Sequence, residues 1–248
     1  MSNLKDELTI FFLFNIILIM NIIEKIKLIF YKVEDLLYEN HSCIGCGIEI
    51  PDGTKYSLCK DCSFEIKVIE ENVENKKTNY FIKNSSYCYY DKLASTIIKN
   101  FKYFNKKYYA KYIAEMMTEK LEIFKNIDYI TFVPASLSSD KKRGFNQSKE
   151  LANEISKIIN IPVVEILGKK DGFKNQASLT QKLRLSNLKG AFFVKIENKD
   201  FLKSKNILIV DDVLTTGTTL KRCREEIKTL QPKNIYSLTF AKTRFQKK

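Results

Sequence analysis

The fold is decided by one stretch of the 248-residue sequence, Asn206 to Leu220, which reads NILIVDDVLTTGTTL. Its apolar run, Ile207 to Val210, is rich in β-branched residues, as is typical of a strand covered on both faces. After a polar turn, apolar side chains recur at helical spacing from Leu220 to Leu230. A strand, a turn and a helix in this order predict one unit of a parallel α/β sheet.

Polar residues suited to ligand binding follow this strand. Asp211 and Asp212 stand at its C-terminal end, where open α/β sheets bind ligands. The next turn contains Thr215, Thr216, Gly217, Thr218 and Thr219, and it leads into a helix whose first N–H groups lack internal partners and attract a phosphate. The carboxylates would repel a phosphate, but they accept hydrogen bonds from two sugar hydroxyls or reach a divalent cation through water. The stretch therefore predicts a site for a phosphorylated ribose.

The order of residues separates this stretch from other phosphate-binding motifs. No Gly-Lys-Ser/Thr follows, as a P-loop requires, and there is no GxGxxG. The stretch resembles instead the phosphoribosyl pyrophosphate (PRPP) motif of type I phosphoribosyltransferases: an apolar strand, two acidic residues, two apolar residues and a Thr-Thr-Gly-Thr turn. An ordinary helix N-cap after a buried strand would explain a lone Thr-Gly but not the whole string.

Length and charge leave several partners open. A chain of 248 residues can hold one α/β domain and a small accessory module. The formal net charge of +13 favours nucleotides, pyrophosphate or nucleic acid as partners without choosing among them. Most of the 42 basic residues are lysines spread along the chain, which is the pattern of a solvated surface.

The N-terminal residues 1–40 read as an apolar and amphipathic leader. The apolar run Leu8 to Ile23 has sixteen residues, fewer than the roughly 20 that span a bilayer, and an amphipathic helical pattern begins at Met20. Either Met20 is the true start, or residues 8–37 associate with the membrane surface. We expect a cytoplasmic protein without a stable transmembrane span, with peripheral membrane association as the alternative.

Four cysteines predict a small zinc ribbon over residues 41–64. They are spaced C-x2-C-x12-C-x2-C, at Cys43, Cys46, Cys59 and Cys62. Two such knuckles complete a tetrahedron around one zinc ion, whose role would be structural because no coordination position stays open. A pair of disulfides is the alternative, which a cytosolic protein would not keep. His41 could replace a thiolate or lie beside the ribbon, and Cys88 and Cys223 read as core residues.

The rest of the chain alternates helical and strand patterns. Glu65 to Asn84 reads as a linker or a solvated helix, and a larger domain is predicted over residues 85–248. Helices are predicted over Lys92 to Phe104, Lys107 to Lys125 and Gln147 to Ile159, and strands over Ile127 to Pro134, Ile161 to Leu167, Ile207 to Val210 and Ile235 to Ala241. This alternation predicts a mostly parallel sheet flanked by helices.

Basic and aromatic residues suggest two further interactions. Lys141, Lys142 and Arg143 lie in the loop after the strand Ile127 to Pro134, so they would face the same crevice as the acidic pair and could bind pyrophosphate. Phe101 to Tyr112 interleaves aromatic residues with lysines. This stripe fits either stacking of single-stranded bases or core packing under a lysine-rich face.

Further blocks narrow the resemblance to the ComF family, bacterial proteins that join an N-terminal zinc module to a phosphoribosyltransferase-like domain and are associated with competence for DNA uptake. Besides the motif and the ribbon, the similar blocks are IIKNFKYFNKKYYAKYIAE (Ile97 to Glu115), KRGFNQS (Lys142 to Ser148) and QASLTQKLRLSNLKGAF (Gln176 to Phe192). Together they cover the chain from Cys43 onward in matching order. The resemblance implies a type I phosphoribosyltransferase-like fold.

It also implies roles for particular residues. PRPP would bind with Mg²⁺, the catalytic pair Asp211 and Asp212 would hold the ribose hydroxyls, and Thr215 to Thr219 would hold the 5′-phosphate. Lys141, Arg143 and Lys174 would hold the pyrophosphate. Purine-salvage relatives often have a third Asp, a possible base, where Thr215 stands. Its absence leaves no obvious base in this sequence, which also does not indicate the acceptor.

A second hypothesis keeps the fold without the catalysis. On that hypothesis the chain is a nucleic-acid-binding accessory protein of DNA uptake, with single-stranded DNA or proteins of the uptake machinery as partners. A third makes the ribbon a protein-interaction module on a degenerate domain. The sequence does not indicate an oligomeric state.

Overall fold

The computed structural model describes residues 41–70, 74–75, 82–103, 107–135, 144–170, 190–197 and 200–244. The described residues from Ser42 onward belong to the larger compact unit of the chain. The predicted leader of residues 1–40 lies outside the described residues. Among the helices described, none is long and apolar enough to cross a membrane.

A five-stranded sheet organises the larger unit. The strands are β1 (Glu74–Asn75), β2 (Ile82–Tyr89), β3 (Tyr129–Phe132), β4 (Leu167–Lys169), β5 (Phe192–Val194), β6 (Asn206–Leu214) and β7 (Asn234–Lys242). The sheet has the order β1-β2-β7-β6-β3, in which only β1 is antiparallel to its neighbour. β4 and β5 form a separate antiparallel pair. The predicted mostly parallel sheet is confirmed.

Helices cover both faces of the sheet. They are α1 (Lys60–Glu65), α2 (Lys92–Tyr103), α3 (Tyr109–Thr118), α4 (Gln147–Ile159) and α5 (Thr218–Lys228). Successive side chains of a strand point to opposite faces, and β6 shows this clearly. Leu208 and Val210 pack with α2, α3 and α4, whereas Ile207 and Ile209 pack with α5. The predicted burial of this strand on both faces is confirmed.

The helix α4 has the predicted bounds, because both of its ends are capped. The side chain of Asn146 accepts a hydrogen bond from the Lys149 N–H (3.2 Å), and Asn160 ends the helix in the left-handed conformation. The predicted helix over Lys107 to Lys125 is shorter, since α3 ends at Thr118 and a 3-10 turn follows at Leu121–Ile123.

Two predictions of local structure were wrong. The predicted strand Ile161 to Leu167 is reduced to one bridge, between Val163 and Ile130, and its last residue begins β4. Pro162 has no N–H to donate, and the Ile166 N–H turns back to the Val164 carbonyl (2.9 Å), so the ladder stops.

The predicted linker or solvated helix over Glu65 to Asn84 contains β1 and the start of β2. The strand β2 continues through Ser85 and Ser86, which are buried. The hydroxyl of Ser86 forms a cross-strand hydrogen bond with that of Thr239 (2.7 Å). Because such polar side chains form hydrogen bonds with the neighbouring strand, they can be buried in β2. The strand therefore lacks the alternation of apolar residues by which strands are predicted from sequence.

The cysteine module shares its core with the rest of the compact unit. Cys43, Ile44 and Leu58 are buried in the same cluster as Leu93 and Ile97 of α2. The division by sequence into a ribbon (41–64) and a domain (85–248) therefore separates segments that pack together.

Candidate functional site

The acidic pair lies in the C-terminal part of β6, which passes the end of β3 and continues to Leu214. Asp211 is 9% exposed, and its Oδ1 accepts hydrogen bonds from the Ser148 hydroxyl (2.8 Å) and from the Asp212 N–H (2.9 Å). Ser148 is the second residue of α4, so the start of that helix lies at the same edge of the sheet. Burial, followed by the charge of Asp212, raises the pKa of Asp211 to about 7, while Ser148 and Lys102 oppose the shift.

Asp212 forms an ion pair with Lys102, which is in the last turn of α2. The two side chains are 13% and 21% exposed. The predicted pair of carboxylates is present, but one of them is already bound to a cation and the other to a hydroxyl.

The threonine-rich turn follows directly and begins α5. Gly217 has φ of 72°, a left-handed conformation that a side chain disfavours, and it is the N-cap residue. The hydroxyls of Thr216 and Thr218 lie 2.9 Å apart, and Thr218 is buried. The hydroxyl of Thr243, just after β7, donates to the Thr215 carbonyl (3.3 Å) and ties the turn to the neighbouring strand.

The predicted sites are brought together only in part. The structure gathers Asp211, Asp212 and the turn Thr215 to Thr219 at one end of β6, as the sequence predicts. The predicted pyrophosphate ligands Lys141, Arg143 and Lys174 lie outside the described residues.

Two residues beside the pair were missed by the sequence analysis, Lys102 and Ser148. Both fall within blocks that resemble the ComF family, but their pairing with the carboxylates joins residues 110 and 63 positions apart.

The four cysteines of the predicted ribbon form one cluster. Their sulfur atoms all lie within 4.8 Å of one another, and those of Cys46 and Cys59 are 3.7 Å apart. A tetrahedral zinc with bonds of about 2.3 Å to sulfur places its ligands about 3.8 Å apart. A disulfide requires about 2.05 Å, so the observed spacing fits a shared metal ion and not a disulfide. His41 is exposed and does not belong to the cluster.

Backbone groups support this cluster as a metal site. The Cys59 N–H lies 3.3 Å from the sulfur of Cys43, and the Cys62 N–H lies 3.5 Å from that of Cys59. Burial raises the pKa of Cys43, but backbone hydrogen bonds from Cys59, Cys46 and Gly45 outweigh it and bring the pKa to about 7. Such donors stabilise thiolates, the form that binds zinc. Burial and the neighbouring cysteines raise the pKa of Cys62 in the same cluster. The other two cysteines, Cys88 and Cys223, are fully buried, as predicted.

Comparison with known proteins gives one domain match and two kinds of relative. The family model for the phosphoribosyl transferase domain matches residues 142–248. Competence protein F of Haemophilus influenzae is 25% identical over 206 residues, which are 79% of this chain and 88% of that protein. DNA utilization protein YhgH of Escherichia coli is 33% identical over 94 residues, which are 38% of this chain and 40% of that protein.

Solved structures resemble this chain with low TM-scores. Glutamine PRPP amidotransferase from B. subtilis is 17% identical with a TM-score of 0.38, covering 56% of this chain and 30% of its own. A purine phosphoribosyltransferase from Pyrococcus horikoshii is 26% identical with a TM-score of 0.32, covering 50% of this chain and 66% of its own. The fold assignment rests on the sheet topology and the domain match instead. The chain has a match to the phosphoribosyl transferase domain on a mostly parallel sheet, and a four-cysteine cluster precedes that domain. It is a homologue of competence protein F, and the resemblance to the ComF family is confirmed.

Proposed function

We propose that this chain binds PRPP together with Mg²⁺ at the end of β6 and transfers its phosphoribosyl group to an acceptor, in the service of DNA uptake or utilization. The observation that carries the proposal is the single strand end at which two carboxylates adjoin a threonine-rich turn and the N-terminus of α5. The carboxylates would accept hydrogen bonds from the ribose 2′- and 3′-hydroxyls, and the turn with its helix N-terminus would hold the 5′-phosphate.

In such a reaction the acceptor forms a bond to C1′ as the bond from C1′ to the pyrophosphate oxygen breaks. Mg²⁺, when bound, would stabilise the negative charge of the departing pyrophosphate. The chain's own residues would contribute position and electrostatics, since Asp211 and Asp212 orient the sugar and no covalent nucleophile is needed. Because the pKa of Asp211 is about 7, its carboxylate accepts ribose hydroxyls fully only above neutral pH, so we expect PRPP affinity to rise from pH 6 to pH 8.

We also propose that the cysteine cluster holds one structural zinc ion, since four thiols satisfy a tetrahedral ion and leave no position for chemistry. The cytosol keeps thiols reduced. The free cysteines of this chain, and PRPP as its proposed ligand, therefore suit a cytoplasmic protein.

The net charge of +13 favours the second hypothesis, a nucleic-acid-binding accessory protein without catalysis. The cysteine module does not add to that charge. Residues 41–70 carry the acidic Glu49, Asp52, Asp61, Glu65 and Glu70 against the basic Lys55, Lys60 and Lys67. Nucleic acid would therefore bind elsewhere on the chain. The PRPP site is favoured because its carboxylates and its turn adjoin one another among the described residues.

Calorimetric titration with Mg-PRPP tests the proposal on the unaltered chain and on Asp211→Asn and Asp212→Asn. Asp200→Asn is the matched control, because Asp200 is exposed and lies before the opposite end of β6. We expect binding that both site variants lose and the control keeps. Release of pyrophosphate on adding a base would show transfer. No PRPP binding, together with oligonucleotide binding that falls steeply with salt, would support the accessory hypothesis instead.

A further inference from the structure

The ion pair between Lys102 and Asp212 lies where PRPP would bind. Taking a lysine largely out of water costs free energy, and an ion pair in good geometry offsets that cost. Lys102 is 21% exposed, and its partner is one of the two carboxylates proposed to hold the ribose. The cation is thus in contact with the proposed site rather than on a remote surface.

Lys102 and the threonine-rich turn approach the end of β6 from opposite faces of the sheet. Phe101 and Ile98 of α2 belong to the core cluster on the face of Leu208 and Val210. The turn leads into α5, whose Leu220 and Cys223 belong to the cluster on the other face. The acidic pair therefore lies between a phosphate-binding turn on one side and an ammonium group on the other.

PRPP has its charged groups at opposite ends of the ribose, with the 5′-phosphate at one end and the pyrophosphate on C1′ at the other. With the 5′-phosphate at the turn and the hydroxyls on the carboxylates, the C1′ end is directed toward the face of α2. We propose that Lys102 binds the pyrophosphate of PRPP and is held ready for it by Asp212. This inference rests on the proposed function and adds a residue to that site.

The charges explain why such a residue is needed. A pyrophosphate that arrives beside two adjacent carboxylates meets like charge, which disfavours binding. An ammonium group has three N–H donors, so Lys102 can keep its contact with Asp212 while it donates to a phosphate oxygen. The cation then offsets the repulsion between the acidic pair and the ligand. Lys102 could instead have only a structural role, which is to stabilise the C-terminus of α2. In that case its loss would not change the preference of the site for ligands that contain pyrophosphate.

The test uses the full chain and the variants Lys102→Met, Lys102→Arg and Lys99→Met. Lys99 is an exposed lysine of the same helix, so its loss changes the net charge equally away from the site. Each protein is titrated with Mg-PRPP, with Mg-pyrophosphate and with ribose 5-phosphate. We expect Lys102→Met to bind the two pyrophosphate ligands at least about tenfold more weakly, the size of one charge-assisted hydrogen bond. Its affinity for ribose 5-phosphate should change little, Lys102→Arg should retain most binding, and Lys99→Met should match the unaltered chain.

Three results would overturn the inference. Unchanged or tighter binding of Mg-PRPP by Lys102→Met means that the lysine does not bind the ligand. An equal loss for ribose 5-phosphate means that the substitution damages the edge of the sheet as a whole. If the unaltered chain binds neither Mg-PRPP nor ribose 5-phosphate, the proposed function fails and this inference fails with it. Should Lys102→Met not fold, Lys102→Gln carries the same expectation, because glutamine can still donate a hydrogen bond to Asp212.

Discussion

Replacing Asp211 by asparagine should stabilise the fold, and should do so most at alkaline pH. The folded chain raises the pKa of this carboxyl from 3.8 to about 7, so folding favours its protonated form. Stability from this group is full below pH 4, falls as the pH rises toward 7, and is lost above it. Asparagine keeps an oxygen that can accept from Ser148 and from the Asp212 N–H, but it carries no charge to bury.

The size of the effect follows from the shift. Each pKa unit corresponds to about 1.4 kcal/mol, so burying the ionised carboxylate costs up to about 4 kcal/mol at pH 8. At pH 5.5 the folded carboxyl is protonated whereas the unfolded one is ionised, and taking up that proton on folding costs about 2 kcal/mol. Equilibrium urea unfolding of Asp211→Asn and of the unaltered chain at these two pH values gives the difference directly. Comparison at equal pH cancels the contribution of the cysteine cluster, which titrates in both proteins.

Asp212→Asn provides the matched control. It also removes one carboxylate from the pair, but it takes away the partner of Lys102, a cation that is largely buried. We expect it to stabilise the chain less than Asp211→Asn does at pH 8. The reasoning would be refuted if Asp211→Asn lowered the free energy of unfolding at pH 8, or if its effect were the same at both pH values.

Three further predictions concern the metal cluster and the turn. In Gly45→Ala the new Cβ would lie 2.8 Å from both the Cys62 sulfur and the Leu93 side chain, so zinc affinity and melting temperature should both fall. Gly47→Ala has open space around its Cβ but a φ of 81°, so it should lower the melting temperature and still retain zinc. Freshly purified protein should contain about one zinc per chain by metal analysis, and a chelator should lower its melting temperature; protein without zinc would contradict the ribbon. Gly217→Ala should lower the free energy of unfolding in urea by about 1 kcal/mol, because a residue with a side chain disfavours a φ of 72°. The new Cβ would not clash, since the nearest atom, in Leu214, lies 3.6 Å away. An unchanged free energy of unfolding would mean that the turn relaxes.

The amino-acid sequence alone predicts the helix α4, the strand β6 and the chemistry of two motifs. The β-branched run Ile207 to Val210 favours a buried strand, and Asn146 and Asn160 bracket α4 by local capping. Cysteine spacing likewise predicts a cluster, because two knuckles are local structures that share one ion. These are properties of neighbouring residues, which is why they can be read from the chain. The segment Glu65 to Asn84 was misread for the opposite reason, since the start of β2 at Ile82 to Asn84 pairs with β7, a distant strand.

The surroundings of the acidic pair depend on tertiary packing. The sequence places Asp211 and Asp212 side by side, but it does not show that Ser148 and Lys102 take one carboxylate each. Nor does it show that the threonine-rich turn and Lys102 reach the strand end from opposite faces. Those relations depend on how helices far apart in sequence pack across one sheet. Burial then sets the charge of Asp211, because the pKa of a carboxyl depends on the solvent and charges around it rather than on its neighbours in the chain.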